Sequence, residues 1–254
     1  MSIALECRSL SVQYGRFTAI EDFSYGFETG GLYGIIGPNG AGKTTLMNVI
    51  VGGKPPTAGA VILGGHDVTG LSIPRRARLG LGRSFQISKV FAEMSVFENL
   101  RLAAQATAFP MQPLWRPASA YPLLAERARA MLATVGLERH ADAAADKLSH
   151  GDQRALELGL ALMTSPKVLL LDEPLAGVGH HGLAAAIDRL ARLAEGRTVL
   201  LIEHNMNAVM RLAKEVLVMV NGRLVASGPP EEVRRNPAVR DAYLGSEAPP
   251  GNDG

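Results

Sequence analysis

Two stretches of this chain carry side chains whose types and order suit phosphate chemistry. The first is Gly37-Pro38-Asn39-Gly40-Ala41-Gly42-Lys43-Thr44-Thr45, which contains the full pattern G-x-x-x-x-G-K-[ST]. Glycines at these spacings let successive backbone N–H groups turn inward around phosphate oxygens. Lys43 would then reach the terminal phosphates, the Thr44 hydroxyl would hold Mg²⁺, and the following helix would offer the positive end of its dipole. The second stretch is Asp172-Glu173, which follows the apolar run Val168 to Leu171. At the carboxyl edge of a buried strand, Asp172 can complete a Mg²⁺ shell and Glu173 can take a proton from an attacking water. An acidic pair after a strand is common by itself. Beside a phosphate loop it reads as half of a nucleoside triphosphatase.

These groups need a frame. Leu32 to Ile36 is a short apolar run that ends in the glycine loop, and Leu46 to Val51 continues as a helix. Ile3 to Leu10, Phe23 to Phe27 and Val61 to Leu63 read as further strands. Val168 to Leu171 and Val199 to Ile202 are unbroken apolar runs, the pattern of strands covered on both faces of a parallel sheet. Leu183 to Leu193 has helical periodicity. Val216 to Val220 and Leu224 to Ser227 flank Asn221-Gly222, a hairpin signal. From Ser95 to about Leu148 the chain turns alanine-rich and helical, interrupted by FPMQPLWRPASAYP at 109–122, where four prolines forbid a continuous helix. Leu71 to Arg83 reads as loop, with arginines at 75, 76, 78 and 83 expected to form a solvated or headgroup-adjacent face.

Composition sets the outer limits. With 254 residues, one domain with an elaboration fits better than two. A net charge of +2 and an aromatic content of 5% do not favour a nucleic-acid partner. The single Cys7 excludes a disulfide framework. No apolar run approaches the ~20 residues that cross a bilayer. The opening MSIALECRSL lacks the features of a secretory signal, so the expectation is a soluble cytosolic chain.

At the phosphate-loop and acidic positions the chain resembles the ATP-binding-cassette (ABC) ATPases, over about residues 3–245, and further residues match that family's motifs. Leu148-Ser149-His150-Gly151-Asp152-Gln153 is similar to the signature motif, departing from its commonest form at His150 and Asp152. The resemblance implies that this motif contacts ATP bound to an opposing subunit. An acidic Asp152 near phosphates would call for a neighbouring cation or water. His204 matches the switch histidine that contacts the terminal phosphate. Gln86 resembles the glutamine that touches Mg²⁺ and senses membrane subunits. Tyr14 resembles the aromatic that stacks on adenine. Gly179 stands where the family usually has Asp or Asn. His180-His181 is not expected to bind metal, because adjacent helical residues point apart.

The resemblance implies an α/β fold: a P-loop NTPase core with a parallel sheet, an antiparallel β subdomain and an inserted α-helical subdomain. One ABC ATPase domain would span 1–245, its core and β parts at 1–87 and 151–245, its helical part at about 88–150. Residues 246–254 would form a flexible tail. Within the family, Gly82-Arg-Ser-Phe-Gln-Ile, Met94-Ser-Val-Phe-Glu-Asn-Leu100, Ile202-Glu-His-Asn-Met206 and Ala242-Tyr-Leu-Gly245 are similar to ATPase subunits of branched-chain amino acid importers. The implied ligands are ATP and Mg²⁺. The implied partners are a second ABC ATPase, different from this one and packed head to tail, two transmembrane permeases and, indirectly, a periplasmic or extracellular solute-binding protein. The implied location is the cytoplasmic face of the cell's inner membrane. Urea or amide uptake, lipopolysaccharide export and a non-transport ABC ATPase are the alternatives.

Overall fold

The computed structural model describes residues 2–84, 90–108, 121–237 and 239. Two sheets organise them. Strands β1 (Ile3–Tyr14), β2 (Phe17–Glu28), β4 (Ala58–Leu63) and β5 (His66–Asp67) form an antiparallel sheet in the order β2-β1-β4-β5. Strands β3 (Leu32–Ile36), β6 (Leu81–Arg83), β7 (Val168–Asp172), β8 (Thr198–Ile202), β9 (Glu215–Val220) and β10 (Arg223–Gly228) form the second, in the order β10-β9-β3-β8-β7-β6. All of its neighbours are parallel except β9 and β10. Asn221 and Gly222 join those two with positive φ values of 48° and 79°, as a tight hairpin turn of the right hand requires.

The apolar runs explain the central strands. Every residue of β7 and β8 is buried, which is possible only where helices cover both faces. One face packs on α1 (Lys43–Val51) and the antiparallel sheet, through Leu46, Met47, Ile50, Leu170 and Leu200. The other packs on α6 (His180–Ala194), through Leu169, Leu171, Ile187 and Leu190. Helices α3 (Val96–Ala108), α4 (Pro122–Val135) and α5 (His150–Met163) surround a core of their own, including Leu100, Ala128, Leu132 and Leu156. Helix α5 belongs to both bodies: Leu156 and Met163 face the helical core, while Leu158 and Leu162 face the sheet. Two shorter helices complete this side: α7 (Met206–Leu212) packs on β3 and on α8 (Pro230–Arg235), which packs on β9 and β10.

One expectation fails in the segment from Leu71 to Arg83. It holds a helix, α2 (Ile73–Arg78), and the edge strand β6, and its arginines do not share one solvated face. Arg76 is only 1% exposed. Its guanidinium donates to the carbonyls of Val49 and Ile50 at 2.7 and 2.6 Å, closing the carboxyl end of α1, and to Leu71 and Thr69 at 3.1 and 2.8 Å. A positive charge suits the negative end of the α1 dipole, and the planar fork serves several acceptors at once. Arg75 and Arg78 remain exposed. Replacing Arg76 by Met should strand these carbonyls and cost roughly 3 kcal/mol of stability, read as a lowered urea-unfolding midpoint; a loss below about 1 kcal/mol would mean that water substitutes for the guanidinium. The proline-rich stretch at 109–120 and the tail from 240 lie outside the described residues, and so does Gln86.

Candidate active site

The strand order brings the candidate residues together. In the parallel sheet β8 lies between β3 and β7, and Ile35, Ile202 and Asp172 stand in one row across the three strands. The glycine loop, Glu203-His204 and Glu173 therefore leave the same carboxyl edge, where open α/β sheets place ligands. A cavity of about 240 Å³ is lined there by Phe17, Ala19, Asn39 through Thr45, Glu173, Ile202 and His204.

Backbone closeness dictates the glycines of the loop. A Cβ on Gly42 (φ 96°) would lie 2.5 Å from the Ala19 carbonyl oxygen, and one on Gly37 (φ 154°) would lie 2.1 Å from that of Met219. Lys43 opens α1 and is 7% exposed. Its Nζ donates to the loop's own carbonyls, Gly37 at 2.6 Å and Pro38 at 3.0 Å. Burial lowers its proton affinity, and the negative charges of Glu173 and Asp172 work against that shift. Thr44 is exposed at the cavity wall.

Asp172 closes β7 and is 2% exposed. Burial raises its pKa above the ordinary carboxyl range, while the Arg83 guanidinium opposes the rise. Arg83 Nη2 stands 3.4 Å from Asp172 Oδ2, a long contact, and Arg83 Nη1 donates to Asn48 Oδ1 of α1 at 2.6 Å. Arg83, expected on a solvated face, is thus turned inward. Asp172 Oδ1 is buried and has no hydrogen-bond partner among the described residues. A buried carboxylate oxygen left open is what a hard divalent cation needs.

Glu173 takes a left-handed backbone conformation, φ 50°, that non-glycine residues seldom adopt. Its N–H donates to the Ile202 carbonyl at 2.9 Å, holding the turn, and its Oε1 lies 3.0 Å from His204 Nε2. The sequence placed Glu173 and His204 31 residues apart; the sheet makes them a hydrogen-bonded pair facing the glycine loop.

The signature-like residues lie elsewhere. None of Ser149, His150, Gly151 and Asp152 is among the described residues lining this cavity. Ser149 is the N-cap of α5: its Oγ accepts from the Asp152 N–H at 3.2 Å and donates to Asp152 Oδ2 at 2.7 Å. His140 Nε2 stands 4.0 Å from the same oxygen. Nothing short of the fold would have placed it there. Tyr14 is half exposed and does not line the cavity, and Lys54 Nζ sits 4.5 Å from its ring centroid. The aromatic on the cavity wall is Phe17, the cross-strand partner of Tyr14, which is 62% exposed. Sequence reasoning missed it, although its place beside Tyr14 across a two-residue turn was a usable signal. The side chains of His180 and His181 lie outside those described.

Comparison with known proteins agrees with this geometry. Residues 20–176 match the family described as ABC transporter, and residues 223–249 match the branched-chain amino acid ATP-binding cassette transporter family. The high-affinity branched-chain amino acid transport ATP-binding protein LivG of Escherichia coli K12 is 36% identical over 250 residues, covering 95% of this chain and 97% of its own length. The lipopolysaccharide export system ATP-binding protein LptB of Acidithiobacillus ferridurans is 35% identical over 249 residues, covering 97% and 99%. A solved ATP-binding cassette of an ABC transporter in its ADP conformation superposes with a TM-score of 0.83 at 31% identity, covering 96% of this chain and all of the other. The chain belongs to the ABC transporter family, as one of its ATP-binding cassettes.

Proposed function

We propose that this chain hydrolyses ATP to power import of branched-chain amino acids or a closely related solute through partner permeases. The observation that carries the catalytic part is the Glu173–His204 pair at 3.0 Å, facing the glycine loop across one cavity. In this reading Lys43 exchanges the Gly37 and Pro38 carbonyls for phosphate oxygens, and the amides of the loop and the first turn of α1 cradle the rest. Glu173 accepts a proton from water as that oxygen bonds the terminal phosphorus and the bond to the leaving phosphate breaks. His204, donating through Nε2, holds the Glu173 carboxylate in line. Thr44, Asp172 and Gln86 are the residues that would hold Mg²⁺, and the open Asp172 Oδ1 supports that assignment. The ion would supply charge neutralisation on the triphosphate. Tyr14 would stack on the base, with Phe17 beside it.

Identity alone does not choose the transport system, since the amino acid and lipopolysaccharide relatives are nearly equally similar. The match of residues 223–249 to the branched-chain amino acid family favours import. We read 1–245 as one domain, with a helical subdomain at about 88–150 and a tail at 246–254. Ser149 to Asp152 lie off the cavity and so suit a head-to-tail pairing in which each signature meets the partner's ATP. The partner is taken to be a second, different cassette. An apolar cavity of about 440 Å³ between α2, β6, α3 and α5, with Phe91 59% exposed at its edge, suits a segment of a permease. No helix among the described residues is long and apolar enough to cross a membrane. In this reading the chain docks on its permeases at the cytoplasmic face, as an ATP-binding subunit of a transporter would. In proteoliposomes holding this cassette, its partner cassette, both permeases and the solute-binding protein, ATP should drive uptake of labelled leucine. Turnover of ATP without uptake of any branched-chain amino acid would refute the assigned cargo.

A further inference from the structure

Glu203 is unused by the mechanism above, yet it is buried almost as deeply as Asp172. It follows β8 directly, is 5% exposed, and has its whole carboxylate engaged with backbone. Oε1 accepts the Leu175 N–H at 2.7 Å and Oε2 accepts the His204 N–H at 3.2 Å. Leu175 stands two residues beyond Glu173, and its side chain is locked in the apolar core with Leu158, Leu171 and Leu190. One carboxylate therefore ties the segment that follows the proposed base to the segment that carries its histidine.

We infer that Glu203 is a positioning residue for hydrolysis: by bridging Leu175 and His204 it fixes the separation of Glu173 and His204. The inference rests on the roles proposed for those two residues. The physical need is visible at Glu173, whose left-handed φ must be held from both sides. Upstream, the strand register and the bond to the Ile202 carbonyl hold it. Downstream, the first bond from the following segment to the β8 side is that of Leu175 with Glu203. His204 is mostly exposed, so neighbouring side chains do little to fix its ring. Its backbone anchor sets where the ring begins, and a small displacement of a base or its partner is enough to slow a chemical step. Orienting groups behind the reacting residues act in this way at other sites.

A neutral isostere tests the point without opening a cavity. Glu203→Gln keeps the volume, but its amide nitrogen must face one backbone N–H, donor against donor, so one of the two bridges breaks. Glu203→Ala removes both. In the complex of this chain with its partner cassette and permeases, the partner's own hydrolysis silenced by substitution, kcat with ATP and Mg²⁺ should fall about tenfold in Glu203→Gln and further in Glu203→Ala, while KM for ATP and affinity for a fluorescent ATP analogue stay within about threefold. The unfolding midpoint of Glu203→Gln should fall by less than that of Arg76→Met, since a single backbone N–H loses its acceptor. Wild-type-like kcat in both variants, alongside a large loss in Glu173→Gln, would overturn this inference and leave the catalytic pair standing. Parallel loss of nucleotide affinity and of folded protein in Glu203→Gln would also overturn it, by making Glu203 a general structural residue. Wild-type-like turnover in Glu173→Gln would instead refute the underlying reading of the site.

Discussion

Glu173→Gln should bind ATP as the parent chain does and turn it over roughly a hundredfold more slowly, or worse, the range expected when a general base is lost. The side chain keeps its length, so the turn at φ 50° and the bond from its N–H to Ile202 are undisturbed. The hydrogen bond to His204 can also survive, with the Gln carbonyl oxygen in place of Oε1. What disappears is the ability to take a proton from water. The nucleotide contacts proposed above come from the loop, Lys43 and the first turn of α1, none of which the substitution touches. Steady-state turnover together with equilibrium binding of a fluorescent ATP analogue separates the two effects. Turnover close to the parent's would remove Glu173 from the base role and leave His204 or a substrate oxygen to take the proton.

Much of this candidate site is legible in the sequence, for physical reasons that differ between residues. The glycine loop constrains backbone and side chain together, so Gly37 to Thr44 announces itself in one dimension. Asp172 and Glu173 were legible because β7 is buried on both faces and reads as an unbroken apolar run ending in charge. His204 needed β8, which has the same signature. What stayed hidden depends on contacts distant in sequence. Arg76 sits in a six-residue helix with two other arginines, and nothing in IPRRAR marks which one turns inward. Its acceptors lie as far back as Val49 and are backbone carbonyls that no side-chain pattern reports. Glu203 looks like any acidic residue after a strand, until the β7–β8 pairing sets the Leu175 amide against it. His140 reaches Asp152 only because the helical body folds back onto the start of α5. The loop reading of 71–83 failed because α2 is too short to show a period and β6 is a three-residue edge strand.

Lys43→Met should abolish nucleotide binding outright, a change of another kind from the loss in Glu173→Gln. Lys43 is buried with its ammonium on two loop carbonyls, and two carboxylates stand close enough to favour its charge. It contributes twice. Without nucleotide it braces the loop by drawing the Gly37 and Pro38 carbonyls toward one cation. With nucleotide, the same cation must answer the charge of the terminal phosphates in a cavity lined by Glu173, with the buried Asp172 next to it in sequence. Met fills similar space but leaves those carbonyls unanswered and lets the acidic pair repel the triphosphate directly. At the effective dielectric of a site near a protein surface such a charge imbalance is worth several kcal/mol, equivalent to a loss of about a thousandfold or more in affinity. Titration with a fluorescent ATP analogue should show no saturation at concentrations that fill Glu173→Gln, while the unfolding midpoint falls by no more than that of Arg76→Met. Affinity within about tenfold of the parent would mean that the amides of the loop and α1 carry phosphate binding alone, and that the lysine serves only as the brace seen in its bonds to Gly37 and Pro38.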